Sequence, residues 1–369
     1  MILKDLWPIV FNNVQEKSIL YIEFNNEIKK NELFFYLCGN NTKIFKFNKV
    51  FNPKISIISP IFNRKRYILK FISFIQNQNF KNVEIIFIDD SSVDGSIELI
   101  EELKKKEQRI LLIKNKINRG TFLSRNIGVL YSNGDYLVIP DPDDILSKNI
   151  LRACFKISEK YNIELIRFNM YTRTGKITLY DIIKKLKSFV INHPNISSYL
   201  FYGSNELEKI DYHICNKFIK KDVYIRAINS FTNFYLNKYI IYRDDSILNY
   251  MLYNLAKSFI FIKTIGYYYN INSLSVTNNL FSKSDLRIKF AFIFIKLIFQ
   301  YSKNTKYEKD MFNFLFTIFN KKFNLLQKIS AFRHNKRFYN NLFNIFLNCK
   351  FLTKENKIVL KEFKQIIEQ

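Results

Sequence analysis

Cysteine and histidine are scarce in this chain of 369 residues, which contains four of the first and three of the second. The cysteines lie far apart and form no CxxC pair, so neither a zinc site nor a disulfide framework is predicted, and a reducing compartment is expected. They are Cys38, Cys154, Cys215 and Cys349. The histidines have no metal-ligand spacing to one another and are interpreted as structural. They are His193, His213 and His334.

Long apolar runs are missing as well. The most apolar later stretch, FAFIFIKLIF at residues 290–299, is shorter than a bilayer span and contains Lys296. The N-terminal stretch MILKDLWPIVFNN carries Lys4 and Asp5 and has no small-residue cleavage site, so no secretory signal is predicted. No Walker-type G-x-x-x-x-G-K-[ST] loop is found, which argues against a P-loop enzyme. The absence of a secretory signal and of a long apolar run predicts a cytoplasmic protein without a transmembrane helix.

Basic residues are abundant: 58 Lys and Arg against 32 Asp and Glu give a formal charge of +26. Such a charge favours nucleic acid, an anionic membrane surface or a phosphate-bearing substrate as a partner. Glycine and proline are rare, at 8 and 6, whereas Lys, Asn, Ile, Phe and Tyr are common. AT-rich coding produces this mixture without selection for charge, so both interpretations of the basicity stay open. The 48% of hydrophobic residues is enough for a sizeable core.

Three regions differ in their patterns. Residues 1–52 alternate short apolar runs with polar turns, which predicts a small strand-rich extension. Residues 53–280 alternate short β-branched runs with amphipathic helices, which predicts an α/β domain with a mainly parallel, Rossmann-like sheet and helices on both faces. Residues 281–369 resemble several amphipathic helices rich in Phe, Ile and Lys. These helices either pack on the rest of the protein or lie on an anionic membrane, and packing is the favoured alternative.

Strands are predicted at ISIISPIF, VEIIFI, RILLIK, DYLVI and IELIRFNMY. Helices are predicted from about Lys65 and Ser96, across TFLSRNIGVLYS, near residues 147–161, and from Asp244. The first of these helices has an apolar stripe that we expect to face the core. It consists of Ile68, Phe71, Ile72 and Ile75.

Two acidic clusters follow predicted strands. Asp89 and Asp90 follow VEIIFI, and Asp141, Asp143 and Asp144 follow DYLVI. The carboxyl ends of parallel strands collect ligands, and carboxylates brought together there repel one another unless a cation or hydrogen-bond donors lie between them. Two carboxylates spaced as D-x-D on an extended segment suit Mg²⁺ or Mn²⁺ that also binds phosphate oxygens. The alternative is an acidic loop with independent helix caps.

A further acidic pair, Asp244 and Asp245, begins a predicted amphipathic helix. Acidic residues in a first turn interact favourably with the helix dipole, so simple capping explains them. If the helix end faces the predicted metal cleft, one carboxylate instead accepts a proton from an incoming hydroxyl.

In order along the chain, these motifs resemble those of the family 2 glycosyltransferases with the GT-A fold, over about residues 54–277. The family's DDGS turn is similar to IDDSSVDGS, its N-x-G-x-x-x-A-R-N stretch to NRGTFLSRN, and its DxDD to DPDD. Its NK element is similar to CNKFIKKDV, its Glu-Asp pair to Asp244 and Asp245, and its closing YYYR segment to GYYYNINSLS. Each motif is weak alone, whereas the ordered set is strong.

The resemblance implies a nucleotide-sugar site. Asp90, with Asp89 beside it, would hydrogen-bond the base or ribose, and Phe62 would stack on the base. Arg125 would approach the diphosphate, to which a guanidinium fork is suited. Asp141 would contact the donor as well. A UDP-linked sugar is the favoured donor.

The resemblance also implies a metal-dependent, inverting hexosyltransferase or related enzyme. Asp141 and Asp143 would bind Mn²⁺ or Mg²⁺, with Asp143 as the direct ligand. Asp245, next to Asp244, would be the general base that deprotonates the acceptor hydroxyl. The acceptor would be a glycan, a lipid-linked saccharide or a polysaccharide. Peripheral contact with an anionic membrane belongs to the second alternative for residues 281–369.

Three departures from the family pattern stand out. Ser91 replaces a glycine after the aspartate pair, which restricts that turn. Pro142 lies between the two metal candidates, where an extended backbone tolerates it. Asp244 replaces a glutamate and has a shorter reach. None of these changes removes a required carboxylate.

Three alternatives to this enzyme stay open. The charge and the aromatic residues are typical of a nucleic-acid-binding protein, although acidic strand ends argue against the sheet serving that way, so no nucleic acid is expected as a partner. A nucleotidyl or phosphoryl transferase uses the same metal chemistry. A catalytically inactive scaffold would keep the fold alone.

Overall fold

The computed structural model describes five stretches of the chain and four isolated positions. They are residues 42–45, 52–172, 190–192, 213–230 and 244–270, and positions 354, 357, 361 and 365. The chain divides into two compact units, Ile28–Asn279 and one that combines Met1–Glu27 with Leu280–Gln369. All elements below belong to the first unit. The three predicted regions, and the alternatives for residues 281–369, stay predictions. His193, His334, Cys38 and Cys349 lie outside the described residues.

Ten strands and six helices make up the described part of the chain. The strands are β1 (Thr42–Phe45), β2 (Ile55–Ile61), β3 (Val83–Asp89), β4 (Ile110–Asn115), β5 (Tyr136–Val138), β6 (Ile145–Leu146), β7 (Leu165–Thr172), β8 (Val190–Asn192), β9 (Lys217–Lys220) and β10 (Ser258–Tyr269). The helices are α1 (Lys65–Gln76), α2 (Ser96–Lys106), α3 (Thr121–Tyr131), α4 (Ile150–Tyr161), α5 (Lys221–Ser230) and α6 (Asp244–Leu255).

The strands form one mixed sheet in the order β1-β4-β3-β2-β5-β9-β7-β10-β6, with β8 also paired to β10. Strands β4, β3, β2 and β5 are parallel, as are β7 and β10. Strand β9 is antiparallel to both β5 and β7 and joins the two parallel groups. The predicted α/β class is confirmed, and the sheet contains more antiparallel pairs than the sequence pattern indicated.

Helices cover both faces of the sheet, and the central strands are therefore buried on both sides. Every residue of β2 and β3 is buried. One face holds α1, α2 and α4, and the predicted stripe of α1 lies in its hydrophobic cluster. The other face holds α3, which contacts β2 and β3, together with α5 and α6, which contact each other. Strands buried on both faces are continuous apolar runs, and this explains why ISIISPIF and VEIIFI were predictable.

Five strands were not predicted individually from the sequence: β1, β6, β8, β9 and β10. Strand β1 lies within the region predicted as a strand-rich extension. Strands β6, β8 and β9 have two, three and four residues, too few for a period to emerge. Strand β10 is long, but its pairing with β7 is interrupted by two register shifts between Ile262 and Tyr267. Within the described ranges, no helix combines the length and apolar character needed to span a bilayer.

Helix α3 packs closely on the sheet through a glycine. All nine residues from Phe122 to Leu130 are buried. A Cβ atom on Gly128 would lie 2.5 Å from Ile58 Cγ2 and 2.6 Å from Ile88 Cδ1, so the helix can approach β2 and β3 this closely only without a side chain there. The position of α3 is therefore set by direct contact with the strands.

We predict that Gly128→Ala destabilises the protein. Alanine gains up to about 1 kcal/mol in helix propensity over glycine. Overpacking against two buried isoleucines costs about 1–3 kcal/mol, so the net loss is up to about 2 kcal/mol in the free energy of unfolding. Chemical denaturation measures it, with the exposed Lys105→Ala on α2 as the control. A Gly128→Ala protein as stable as the control variant would show that α3 can move away from the sheet.

Candidate active site

The predicted site residues lie at one edge of the sheet. Strands β2, β3 and β5 are parallel, so their carboxyl ends point the same way. Asp89 ends β3 and pairs with Ile61, the last residue of β2, and the acidic turn of residues 141–144 follows β5. Phe62 comes directly after β2, and 45% of it is exposed. A planar ligand can therefore reach its ring, and its predicted stacking role stays a prediction.

Asp90 is held by the start of α3. Its Oδ1 accepts hydrogen bonds from Asn115 Nδ2 at 2.9 Å and from the Arg119 backbone N–H at 2.8 Å, and its Oδ2 accepts one from the Gly120 N–H at 2.8 Å. A carboxylate in this place satisfies backbone donors that a helix start leaves without partners. Asp90 thus fixes α3 to the end of β3, and its predicted contact with a base or ribose remains untested.

Asp89 is fully buried beside it. Its Oδ2 accepts a hydrogen bond from the Ser92 N–H at 3.1 Å, while its Oδ1 has no hydrogen-bond partner among the described residues. Burial raises the pKa of Asp89 above its ordinary value. Ser91, between these residues, has φ of +70°, a conformation that glycine adopts more easily. The glycine of the family pattern suits this turn better than serine does.

Arg125, on α3, joins two carboxylates that are far apart in sequence. Its Nη2 lies 3.2 Å from Asp141 Oδ1, and its Nη1 donates to Asp245 Oδ1. Arg125 is only 4% exposed, whereas a third of the Asp141 side chain is accessible. The guanidinium therefore contacts both carboxylates, offsets part of their charge and leaves part of Asp141 open to a ligand. The predicted contact of Arg125 with a diphosphate stays a prediction.

The acidic turn of residues 141–144 contains two kinds of carboxylate. Asp141 and Asp143 are both half-buried, and burial together with the charges of Asp143 and Asp245 raises the pKa of Asp141 to about 6, although Arg125 opposes the shift. Asp144 is 3% exposed. Its Oδ2 accepts a hydrogen bond from the Tyr267 hydroxyl at 2.6 Å. Burial and the neighbouring charge of Asp141 raise the pKa of Asp144 to about 8.

Asp245 is positioned by the segment that carries the NK element. Its Oδ2 lies 3.4 Å from the Ile214 N–H. The buried Lys217 donates to the His213 carbonyl at 2.5 Å and to Asn216 Oδ1 at 3.0 Å, which closes this segment into a turn. Asp244 begins α6, and its side chain lies outside the described part of the structure. The role of Asp245 as a base remains a prediction.

The residues around Asp141 and Asp143 fit a divalent cation only with help from a ligand. Within the described stretches, no group of three or more His, Cys, Asp or Glu residues forms a metal-binding set. Mg²⁺ and Mn²⁺ commonly use one or two protein carboxylates and complete their coordination with phosphate oxygens and water. Burial and the charges of Asp143 and Asp245 raise the pKa of Asp141, and a bound cation would oppose that shift. The pair therefore suits a cation that arrives with a phosphate-bearing substrate.

The contact between Tyr267 and the acidic turn was not predicted. Tyr267 lies in the quoted segment GYYYNINSLS, but the sequence gives no signal for which of its three tyrosines turns toward Asp144. The two residues are 123 positions apart, and only the pairing of β10 with β6 brings them together.

Comparison with known proteins agrees with the motifs. The family model for glycosyl transferase family 2 matches residues 56–226. An uncharacterized glycosyltransferase from Haemophilus influenzae is 39% identical over 99 residues, which cover 27% of this chain and 40% of the relative. The match thus spans well under half of that relative's length.

Two solved structures share the fold. S. aureus TarS 1-349 in complex with UDP superposes with a TM-score of 0.60 at 15% identity, covering 85% of this chain and 88% of that TarS fragment. The mannosyltransferase PcManGT from Pyrobaculum calidifontis, in complex with GDP-Man and Mn²⁺, has a TM-score of 0.52 at 12% identity, covering 86% of each chain. At these identities, the likeness establishes the GT-A type of fold alone.

We predict that Asp144 makes the stability of the metal-free protein depend on pH. Its folded pKa of about 8 exceeds the ordinary value of 3.8, so between these values the folded chain binds a proton that the unfolded chain releases. The free energy of unfolding should therefore rise as the pH falls from 9 to 6, by up to about 1 kcal/mol per pH unit. Denaturation in the presence of a chelator measures this slope.

The matched variant for this measurement is Asp144→Asn, which cannot titrate in this range. It should remove most of the slope, whereas the exposed Asp135→Asn should keep it. Equal slopes in the wild-type and Asp144→Asn proteins would show that Asp144 is ionised throughout.

Proposed function

Residues 56–226 form a family 2 glycosyltransferase domain, and on this premise we propose that the protein transfers a sugar from a nucleoside diphosphate donor to an acceptor hydroxyl. The observation that carries the proposal is the contact of one buried guanidinium, that of Arg125, with both Asp141 and Asp245. It brings the carboxylate assigned to the metal and donor next to the carboxylate assigned to the acceptor. Transfer requires these two functions side by side.

In this proposal, the donor lies at the carboxyl ends of β2, β3 and β5. The exposed ring of Phe62 stacks on the base, and the aspartates at the end of β3 recognise the base or ribose. A UDP-linked sugar is the donor we favour, since TarS, which shares the fold, was solved with UDP. Arg125 offers the diphosphate positive charge close to Asp141.

Asp141 and Asp143 would hold Mn²⁺ or Mg²⁺. The cation supplies Lewis-acid stabilisation of the negative charge that develops on the departing diphosphate. PcManGT, which shares the fold, was solved with Mn²⁺. The role of Arg125 toward the same turn is to balance the charge of Asp141 from the protein side, where it lowers the pKa of that carboxyl.

Asp245 is the general base in this proposal. Its carboxylate takes the proton of the acceptor hydroxyl as the acceptor oxygen forms a bond to the anomeric carbon. The bond from that carbon to the diphosphate breaks, and the diphosphate leaves with the electron pair. A single displacement inverts the anomeric centre. The Ile214 N–H and Arg125 hold the carboxylate in place for this step.

The acceptor and the transferred sugar are inferred as chemical classes. We infer a glycan, a lipid-linked saccharide or a polysaccharide as acceptor, a hexosyl or related group as the sugar, and a cytoplasmic location. The acceptor and sugar classes follow from the resemblance to the family. Peripheral contact with an anionic membrane is the second alternative for residues 281–369, where the sequence is basic and amphipathic, and packing remains favoured.

We predict that Asp143→Ala loses metal-dependent donor binding. Removing one of two carboxylate ligands should weaken binding of UDP-sugar in the presence of Mn²⁺ by at least about tenfold, while metal-free binding changes little. A nucleotide-sugar hydrolysis screen with Mn²⁺ or Mg²⁺ identifies the donor, and calorimetry measures its affinity. The control is Asp135→Ala, an exposed aspartate just before β5. Wild-type affinity and turnover in Asp143→Ala would refute this metal assignment.

We predict that Asp245→Asn keeps donor binding but loses transfer. Without a proton acceptor, the transfer rate should fall by about 10²- to 10⁴-fold, while donor affinity stays within a few fold. Asp222→Asn is a matched control, since Asp222 also lies in a first helical turn and is exposed. Transfer at the wild-type rate would exclude Asp245 as the base. Binding of single-stranded nucleic acid by a wild-type chain that binds no nucleotide sugar would favour the nucleic-acid alternative.

A further inference from the structure

The acidic turn of residues 141–144 is closed from inside the protein by a tyrosine of the distant strand β10. We propose that Tyr267 is a positioning residue, which holds the turn so that Asp141 and Asp143 present their carboxylates to the donor-bound cation. This inference rests on the proposed function. It assigns a role to Tyr267, and through it to Asp144, that neither the motifs nor the charges of the site indicate.

The Tyr267 hydroxyl makes two hydrogen bonds to the turn, one to each end. It donates to Asp144 Oδ2 at 2.6 Å and accepts from the Asp141 backbone N–H at 3.1 Å. The turn has one backbone hydrogen bond of its own, from the Asp144 N–H to the Asp141 carbonyl at 3.2 Å. Pro142 lacks an N–H to add another. The phenol oxygen therefore ties both the first and the last residue of the turn to the sheet.

Tyr267 can act as a fixed point because its surroundings are rigid. It is fully buried, and its backbone pairs with Leu146 of β6, the strand that directly follows the turn. The preceding Gly266 has no room for a Cβ atom, which would contact Phe168 and Ile150. The Gly266 carbonyl accepts a hydrogen bond from the Ser147 N–H at 2.9 Å. The backbone next to Tyr267 is thus closely packed.

The three aspartates of the turn face different surroundings as a result. Asp144 is directed inward, where its second oxygen, Oδ1, accepts a hydrogen bond from the Asn270 N–H at 2.7 Å. Both of its oxygens are thus occupied by protein donors. Asp141 and Asp143 are half-buried and remain accessible to a ligand. We infer that Asp144 does not bind the cation and instead serves with Tyr267 to orient the other two.

Loss of the hydroxyl should loosen the turn without removing any proposed ligand. Groups that orient metal ligands typically contribute 10- to 100-fold to metal affinity. Tyr267→Phe keeps the buried ring and removes only the hydroxyl. The matched control is Tyr268→Phe, the same change one residue later, where the side chain points to the opposite face of the strand and is 40% exposed.

Two measurements on the full-length chain test the proposal. Hydrogen exchange of the metal-free protein reports the Asp141 amide directly, and free Mn²⁺ measured by electron paramagnetic resonance, with UDP present, reports the cation site. For Tyr267→Phe we expect faster exchange confined to residues 141–146 and a 10- to 100-fold weaker Mn²⁺ affinity in the presence of UDP. For Tyr268→Phe we expect wild-type values in both. Unchanged exchange and unchanged Mn²⁺ affinity in Tyr267→Phe would overturn the proposal.

A double variant separates positioning from a simple loss of stability. Tyr267→Phe leaves Asp144 Oδ2 without its hydroxyl donor, and Tyr267→Phe/Asp144→Asn replaces that buried carboxyl with an amide. We expect the double variant to regain thermal stability but not Mn²⁺ affinity, because the Asp141 N–H still lacks its acceptor. Recovery of both would overturn positioning by the hydroxyl. A wild-type chain that binds neither Mn²⁺ nor UDP would refute the proposed function, and hydrogen exchange would still decide whether Tyr267 holds the turn.

Discussion

The buried guanidinium of Arg125 is the interaction on which the arrangement of the site depends. It contacts Asp141 after β5 and Asp245 at the start of α6, two carboxylates that would repel each other without a cation between them. A buried arginine is itself costly unless it is paired, so each partner stabilises the others. Arg125 has little freedom, because α3 is buried along its length and Gly128 brings it into direct contact with β2 and β3. The packing of the core thereby sets the spacing of the carboxylates.

The same helix connects the two halves of the proposed site. Asp90 accepts hydrogen bonds from the backbone N–H groups of Arg119 and Gly120, just before α3. Arg125 extends from the middle of α3 toward Asp141 and Asp245. Any shift of α3 would therefore change the surroundings of the predicted nucleotide side and of the predicted catalytic side together. Short, directly packed connections of this kind suit a reaction that needs two substrates held in one geometry.

The sequence predicted the parts of this arrangement that local patterns encode. Buried strands such as β2 and β3 are continuous apolar runs, and the aspartates that follow β3 and β5 stand where ligands collect. Contacts between distant residues carry no such pattern. Neither the contact between Arg125 and Asp245, which are 120 residues apart, nor that between Tyr267 and Asp144 produces a periodic pattern in the sequence. Lys217, a residue type expected at the surface, is fully buried. Tertiary packing alone determines these.

Charge balance explains why one turn contains three carboxylates. Burial and the charge of Asp141 raise the pKa of Asp144 to about 8, so at neutral pH it contributes little net charge. Asp141, Asp143 and Asp245 remain, with Arg125 as the cation that joins two of them. These carboxylates lie in a partly desolvated site, where their mutual repulsion is stronger than in water. A divalent cation would offset that repulsion. This repulsion is the reason we propose a cation-dependent site and not a set of independent helix caps.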